Sequence, residues 1–198
     1  MNIGTPYGLA LASGIDAYIP LLSYAICARF FHLFKVNPNL AFITQDWFMI
    51  TLVILALADL FADKIPLVDH VWDAIHTVIR PVAGAIVAAA ASNQTSGAAL
   101  LLPIIFGGTL AGMAHTTKAA TRLASTASTA GIANVGISIA EDVTVVIATL
   151  LSLFAPIVMV VVVVLFVIIF LVVVPRLFRM LGRGLQRLRG RSSRSGAA

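Results

Sequence analysis

Long apolar stretches separated by brief polar breaks set the pattern of this chain. Runs of spanning length fall at 7–34, 47–63, 70–91, 97–122 and 143–174, against the ~20 apolar residues that a helix needs to cross a hydrocarbon core of ~30 Å. The breaks are Asn37-Pro38-Asn39, Lys64-Ile65-Pro66, Ser92-Asn93-Gln94-Thr95-Ser96 and a Ser/Thr/Ala/Gly stretch over 124–136. The pattern predicts an all-α fold, a polytopic integral membrane helix bundle of about five spans, with six as the alternative. The second run is short and the third weakly apolar, which leaves room for a re-entrant or half-helix element where irregular backbone lines a cavity. The last run makes ~48 Å of helix and must tilt, protrude or break at Pro156. Leu153, Phe154, Ile157 and Val158 around that proline are all apolar, which favours one long final helix over a turn.

Composition agrees with a bilayer as solvent. The chain has 198 residues, 60% hydrophobic and 11% charged, with a mean hydropathy of +1.03; a soluble domain carries about 25% charged residues, so a water-soluble enzyme is excluded. The net charge of +5 is unevenly placed. Arg176, Arg179, Arg183, Arg187, Arg189, Arg191 and Arg194 come after the last acid, Asp142, so residues 1–175 hold six bases against eight acids, a net −2. The pI near 10 therefore belongs to the tail and implies no nucleic-acid partner. Residues 1–13 contain no base and Asp16 interrupts the apolar run beyond them, so a cleaved signal peptide is not expected. The single Cys27 forms no intramolecular disulfide and offers no metal-ligand spacing.

The chain divides into a transmembrane domain over 1–174, a basic amphipathic interfacial helix over 175–189 and a disordered tail over 190–198. In the middle segment Arg176, Arg179, Arg183 and Arg187 recur on one helical face and Leu177, Leu181, Leu185 and Leu188 on another. This face is expected to bind anionic headgroups at about 1 kcal/mol per base. Equally, it can act as a plain topology determinant that keeps the C-terminus cytoplasmic. The expected location is a bacterial inner membrane, multi-pass, with membrane lipid as the surrounding partner and homo-oligomerisation left open.

The remaining charges form helical stripes. Asp69, Asp73, His76 and Arg80 share one face of a helix; Asp59 and Asp63 stack one turn apart, next to Lys64; His115, Lys118 and Arg122 form a third stripe; Asn134, Ser138 and Glu141, beside Asp142, form a fourth. Charges at bilayer depth cost several kcal/mol unless paired or hydrated, so these groups are expected to converge. The expected pairs are Asp73 with His76, His76 with Arg80, and the His115 stripe with Glu141 and Asp142. With Asp16 and Lys64 included, seven carboxylates stand against four bases and two histidines, an excess that favours a cation or protons. Pro20 and Pro81 would free the carbonyls of Asp16 and Thr77 in kinked helices, a way to build a cation site at Asp16. Gly108 and Gly112, with the small-residue run 82–91, predict close helix approach.

At these residues a family resemblance emerges. GIDAYIP at 14–20, ADKIPLVDHVWDAIHTVIRPVAG at 62–84, the set His115, Lys118, Ala119 and Arg122, and the set Asn134, Ser138, Glu141 and Asp142 together resemble the membrane family catalogued as domain of unknown function 4126. The likeness covers about 4–174 and departs at 126–131, where the family pattern has a more polar, proline-containing link. It implies a polytopic membrane protein and brings no activity with it.

Three functions fit the sequence. The leading one is a small transporter or channel for a cation or proton-coupled solute, with Asp69, Asp73 and His76 carrying protons or ion and Arg80 holding the carboxylates ionised. It needs no cofactor. The second is a membrane-embedded enzyme acting on a lipid or isoprenoid phosphate, where a divalent metal would enter and Lys118 and Arg122 would clamp phosphate. The third is a structural protein whose tail organises anionic lipid. A set of buried ion pairs that merely fixes helix registry would need none of these.

Overall fold

The computed structural model describes residues 3–62, 66–92, 97–130 and 132–195, with the side chains of 66–71, 175 and 177–195 outside that description. Among the described residues seven α-helices occur in order: α1 Gly4–Ser13, α2 Ile19–Arg29, α3 Asp46–Ala62, α4 Pro66–Ala91, α5 Ala98–Thr129, α6 Asn134–Phe154 and α7 Pro156–Ser195, with a 3-10 segment, Pro38–Thr44, ahead of α3. By length and composition Trp72–Ala91, Ala98–Thr129, Asn134–Phe154 and Pro156–Val174 can each cross a membrane. The 3-10 segment with α3, bent by 60°, makes a fifth candidate. The chain divides into two compact units, Met1–Val163 and Val164–Ala198.

The first apolar run differs from the expected single span. At Gly14-Ile15-Asp16 the helix stops, and one Asp16 carboxylate oxygen accepts the N–H groups of Tyr18 (2.7 Å) and Ile19 (2.8 Å). That is how a capping aspartate starts a new helix, and Pro20 fills the first turn of α2, where its missing amide costs nothing. Pro20 therefore frees no carbonyl of Asp16.

The two short helices fold back on each other. α1 begins against the end of α6, with Gly4 on the Pro156 backbone and the Thr5 hydroxyl bonded to the Ser152 carbonyl (2.8 Å). It ends at Gly14, packed on Ala111 and Ala114, partway along α5. α2 starts at the level of His76, which Tyr18 touches, and ends with Arg29 on Asp46 (2.7 Å) and on the Thr44 carbonyl (2.7 Å). Tyr24 reaches the carbonyl of Ala90, at the far end of α4 (3.2 Å). Both open ends of α1–α2 thus lie on the side where α4 and α6 end, and its tip, 14–18, lies inside the bundle. α1 is ~15 Å long, half of a hydrocarbon core. This is a re-entrant helical hairpin, and it lies in the first run rather than in the second or third, where the sequence left room for one.

The final run also departs from expectation, since it is two helices rather than one. Ala155 leaves helical geometry (φ −132°, ψ 58°) and α7 restarts at Pro156. Proline removes the amide that would bond the Ser152 carbonyl, and the Thr5 hydroxyl takes its place. The freed carbonyl that matters is therefore that of Ser152. From Pro156 onward the helical backbone continues to Ser195, through the segments read as a separate interfacial helix and a disordered tail; residues 196–198 and the side chains of Arg179, Arg183 and Arg187 lie outside the described residues.

Glycine lets these helices approach. A Cβ on Gly84 would stand 2.4 Å from that of Ala111, and one on Gly107 2.4 Å from that of Ala88. Close approach of α4 and α5 was expected at 108 and 112 against the run 82–91; its tightest points are Gly84, inside that run, and Gly107. At Gly14 a Cβ would fall 2.2 Å from the Ala111 carbonyl oxygen. Gly14→Ala is thus expected to lower the thermal unfolding midpoint of the detergent-solubilised protein or prevent its accumulation. Gly136→Ala, where a Cβ meets nothing within 4 Å, should be neutral or stabilising by up to about 1 kcal/mol.

Candidate functional site

The hairpin tip meets α3, α4, α5 and α6 at a cluster of ionisable side chains. Asp73, His76 and Arg80 share the inward face of α4 through their i, i+3, i+7 spacing. Arg80 and His76 are fully buried. Arg80 donates through one terminal nitrogen to Asp73 (3.1 Å) and to His115 Nδ1 (2.8 Å), and its other terminal nitrogen lies 3.9 Å from Asp59. A buried unpaired guanidinium would cost several kcal/mol, and these neighbours supply the compensation.

The histidines are fixed in opposite senses. Arginine can only donate, so His115 Nδ1 accepts from Arg80 and its ring hydrogen sits on Nε2, 3.2 Å from the Thr77 hydroxyl. That hydroxyl donates in turn to the Asp73 carbonyl (3.1 Å). His76 Nδ1 instead faces the Trp72 carbonyl (2.8 Å) and carries the hydrogen, which leaves Nε2 as acceptor for the Tyr18 hydroxyl (2.9 Å), with Asp59 3.7 Å away. Asp59 also accepts the indole N–H of Trp72. Proton uptake at His76 Nε2 would place a positive ring beside Asp59. Uptake at His115 Nδ1 requires Arg80 to let go.

On the α5 side Arg122 grips Glu141 through two nitrogens (2.6 and 3.2 Å) and lies 3.8 Å from Asp73. Lys118 lies 3.4 Å from Glu141 and donates to the Ile15 carbonyl at the end of α1 (3.2 Å), so the cation caps a helix C-terminus. Among the described residues these contacts link Asp59, Asp73 and Glu141 with Arg80, Lys118 and Arg122. The buried Asp16 carboxylate lies near Asp59 and Arg80 at the edge of this core. A cavity of ≈240 Å³ adjoins it, lined by Asp73, Thr77, His115 and Arg122 with Ala74, Ala119 and Leu123, room for about eight waters at ~30 Å³ each.

Sequence reading located most of these groups and mispaired some. Lys118 and Arg122 join Glu141 as expected, but His115 turns to Arg80. Asp73 pairs with Arg80 rather than with His76, because residues two turns apart on α4 both lean toward α5 while His76 points at α2 and α3. Asp59, taken as secondary, is central. Asp16 caps α2. Asn134 bonds Thr126 (3.0 Å) at the start of α6, and Ser138 is fully buried one turn before Glu141. Asp142 lies beside Glu141 on the next position of α6. Asp63, Lys64 and the side chain of Asp69 are outside the described residues. Tyr18, Trp72 and Thr77 were missed; a buried Tyr or Trp needs a partner for its polar tip, and that was the available signal.

Arg80→Gln, which strands Asp59 and Asp73, is expected to destabilise the solubilised protein by about 3–5 kcal/mol. Arg29→Ala, which removes the exposed pair with Asp46, should cost about 1 kcal/mol or less. Thermal unfolding of the two variants side by side checks the contrast.

Among the described residues no three of His, Cys, Asp and Glu are placed to hold a metal ion. A family model described as domain of unknown function (DUF4126) matches residues 3–176. No curated protein and no solved structure matches the chain.

Proposed function

The chain belongs to the DUF4126 family, and from its own residues we propose that it is a small transporter or channel that couples protons to the passage of a cation or other small hydrophilic solute. The observation that carries this reading is the pair of oppositely fixed histidines, His115 bonded to Arg80 and His76 set beside Asp59, inside a buried core of ion pairs. Each proton taken up by these rings adds one positive charge to a core of buried ion pairs. The cheapest response in a desolvated site is to release a cation or admit an anionic group.

Coupling arises from geometry. His76 can take a proton without losing a neighbour, since Asp59 and Tyr18 face its Nε2. Protonation of His115 instead competes with Arg80 for the same nitrogen. Arg80 then turns toward Asp73 and Asp59 alone, and the wall of the adjoining cavity changes. A proton at His115 and the present seat of Arg80 are alternatives, which is the two-state element that coupled transport requires. The hairpin tip supplies discontinuous helix ends at depth, an arrangement suited to solute binding in transporters.

We place the protein in a bacterial inner membrane with its C-terminus cytoplasmic, because arginines near a span end resist translocation. Arg176, Arg179, Arg183 and Arg187 would bind anionic headgroups there. In the phosphate-enzyme reading the described residues supply no ligand set for its metal.

Proteoliposomes loaded with a trapped pH dye test the proposal under an imposed potential. Asp73→Asn and His76→Ala are expected to insert normally and to lose most of the proton uptake of the unaltered protein. Unaltered uptake in both would contradict it. His115→Asn keeps an acceptor for Arg80 but cannot titrate, and is expected to flatten the pH dependence of uptake while preserving insertion.

A further inference from the structure

The transport reading leaves open how a water-soluble solute reaches a core that is closed by α1–α2 on one side. Polar atoms without partners mark a route. Ser138 is fully buried and Ser125 is 8% exposed, yet neither hydroxyl has a hydrogen-bond partner, nor does the side-chain oxygen of Asn134. Stranding a buried hydroxyl costs about 1–3 kcal/mol, so three such atoms near one another call for a polar occupant.

Their positions form a line. Ser125 lies one turn from Arg122 on the same face of α5, and Asn134 and Ser138 lie on the face of α6 that carries Glu141. The Asn134–Thr126 bond and the Arg122–Glu141 pair bracket them, so they face the seam between the two helices. α6 begins at Asn134, and no side chain caps its first turn. Its free N–H groups add polar character at the mouth. From Asn134 to Glu141 the seam descends ~10 Å. The next residue on that face, Val145, is fully buried and apolar, and separates this polar stretch from the unpartnered hydroxyl of Thr149 one turn beyond.

We propose that the α5–α6 seam is the aqueous entrance to the site, lined by Asn134, Ser125 and Ser138, through which water, protons and a small hydrophilic solute reach the Arg122–Glu141 pair. The proposal rests on the transport reading but is tested without flux. Cys27 is the chain's single cysteine, so Cys27→Ser gives a thiol-free background for Ser125→Cys, Ser138→Cys and a bilayer-facing control, Val146→Cys.

Sealed vesicles of each orientation are treated with a membrane-impermeant, positively charged methanethiosulfonate. The two seam cysteines are expected to react only from the face where α5 ends and α6 begins, and about tenfold faster than Val146→Cys, because a thiol in apolar surroundings forms little thiolate. Labelling in denaturant confirms that each thiol is present. Seam cysteines that react in denaturant but stay inert in vesicles from both faces would overturn the proposal, as would labelling from the opposite face. Entry through the groove between α4 and α5 would appear as labelling of Thr77→Cys with the seam silent, which also overturns it. Inert seam cysteines alongside intact proton uptake would refute the entrance alone; labelled cysteines without any uptake would refute the transport reading alone.

Discussion

A guanidinium with no access to solvent organises this molecule. Arg80 is fully buried on a helix whose neighbours are almost entirely apolar, and the cost of leaving it there uncompensated exceeds what a small bundle can spare. Asp73 two turns before it on α4, His115 on α5 and Asp59 on α3 converge on it from three helices. Those three in turn place the rest of the polar core. Asp59 draws in Trp72 and His76, His76 draws in Tyr18 at the hairpin tip, and Asp73 and Glu141 share Arg122.

Such convergence needs backbones that come close, and small residues provide it. Gly14, Gly84 and Gly107 stand where any Cβ would overlap a neighbouring helix. The re-entrant hairpin is held at both levels: Gly4 and Thr5 lock its open end to the break at Pro156, and Lys118 draws the Ile15 carbonyl at its tip toward Glu141. In a bilayer, where apolar burial gives helices little reason to associate, such contacts and interhelical hydrogen bonds carry the packing.

The membrane fold was legible because hydropathy reports directly on the solvent, and the stripes were legible because the helical period is local. The first and last runs show where that stopped. Apolar residues on both sides of Pro156 hid a break whose partner, Thr5, lies 147 positions from Ser152. The hairpin hid in the same way, although Asp16 four residues before Pro20 has the spacing of a helix start and could have been read so. Pairing was the least accessible layer. Whether Asp73 turns to His76 or Arg80 depends on which side of α4 faces α5, a tertiary fact.

The proposed proton coupling turns on Arg80 acting only as a donor, which puts the His115 hydrogen on Nε2 and makes a proton at its Nδ1 incompatible with the present seat of the arginine, while the Trp72 carbonyl holds the His76 hydrogen on Nδ1. Nitrogen NMR of the histidine-labelled protein in lipid bilayers at neutral pH, with His115→Asn and His76→Ala to assign the signals, observes this directly. The expected result is a neutral His115 with hydrogen on Nε2 and a neutral His76 with hydrogen on Nδ1. Hydrogen on Nδ1 of His115, or the same tautomer at both sites, would contradict this coupling.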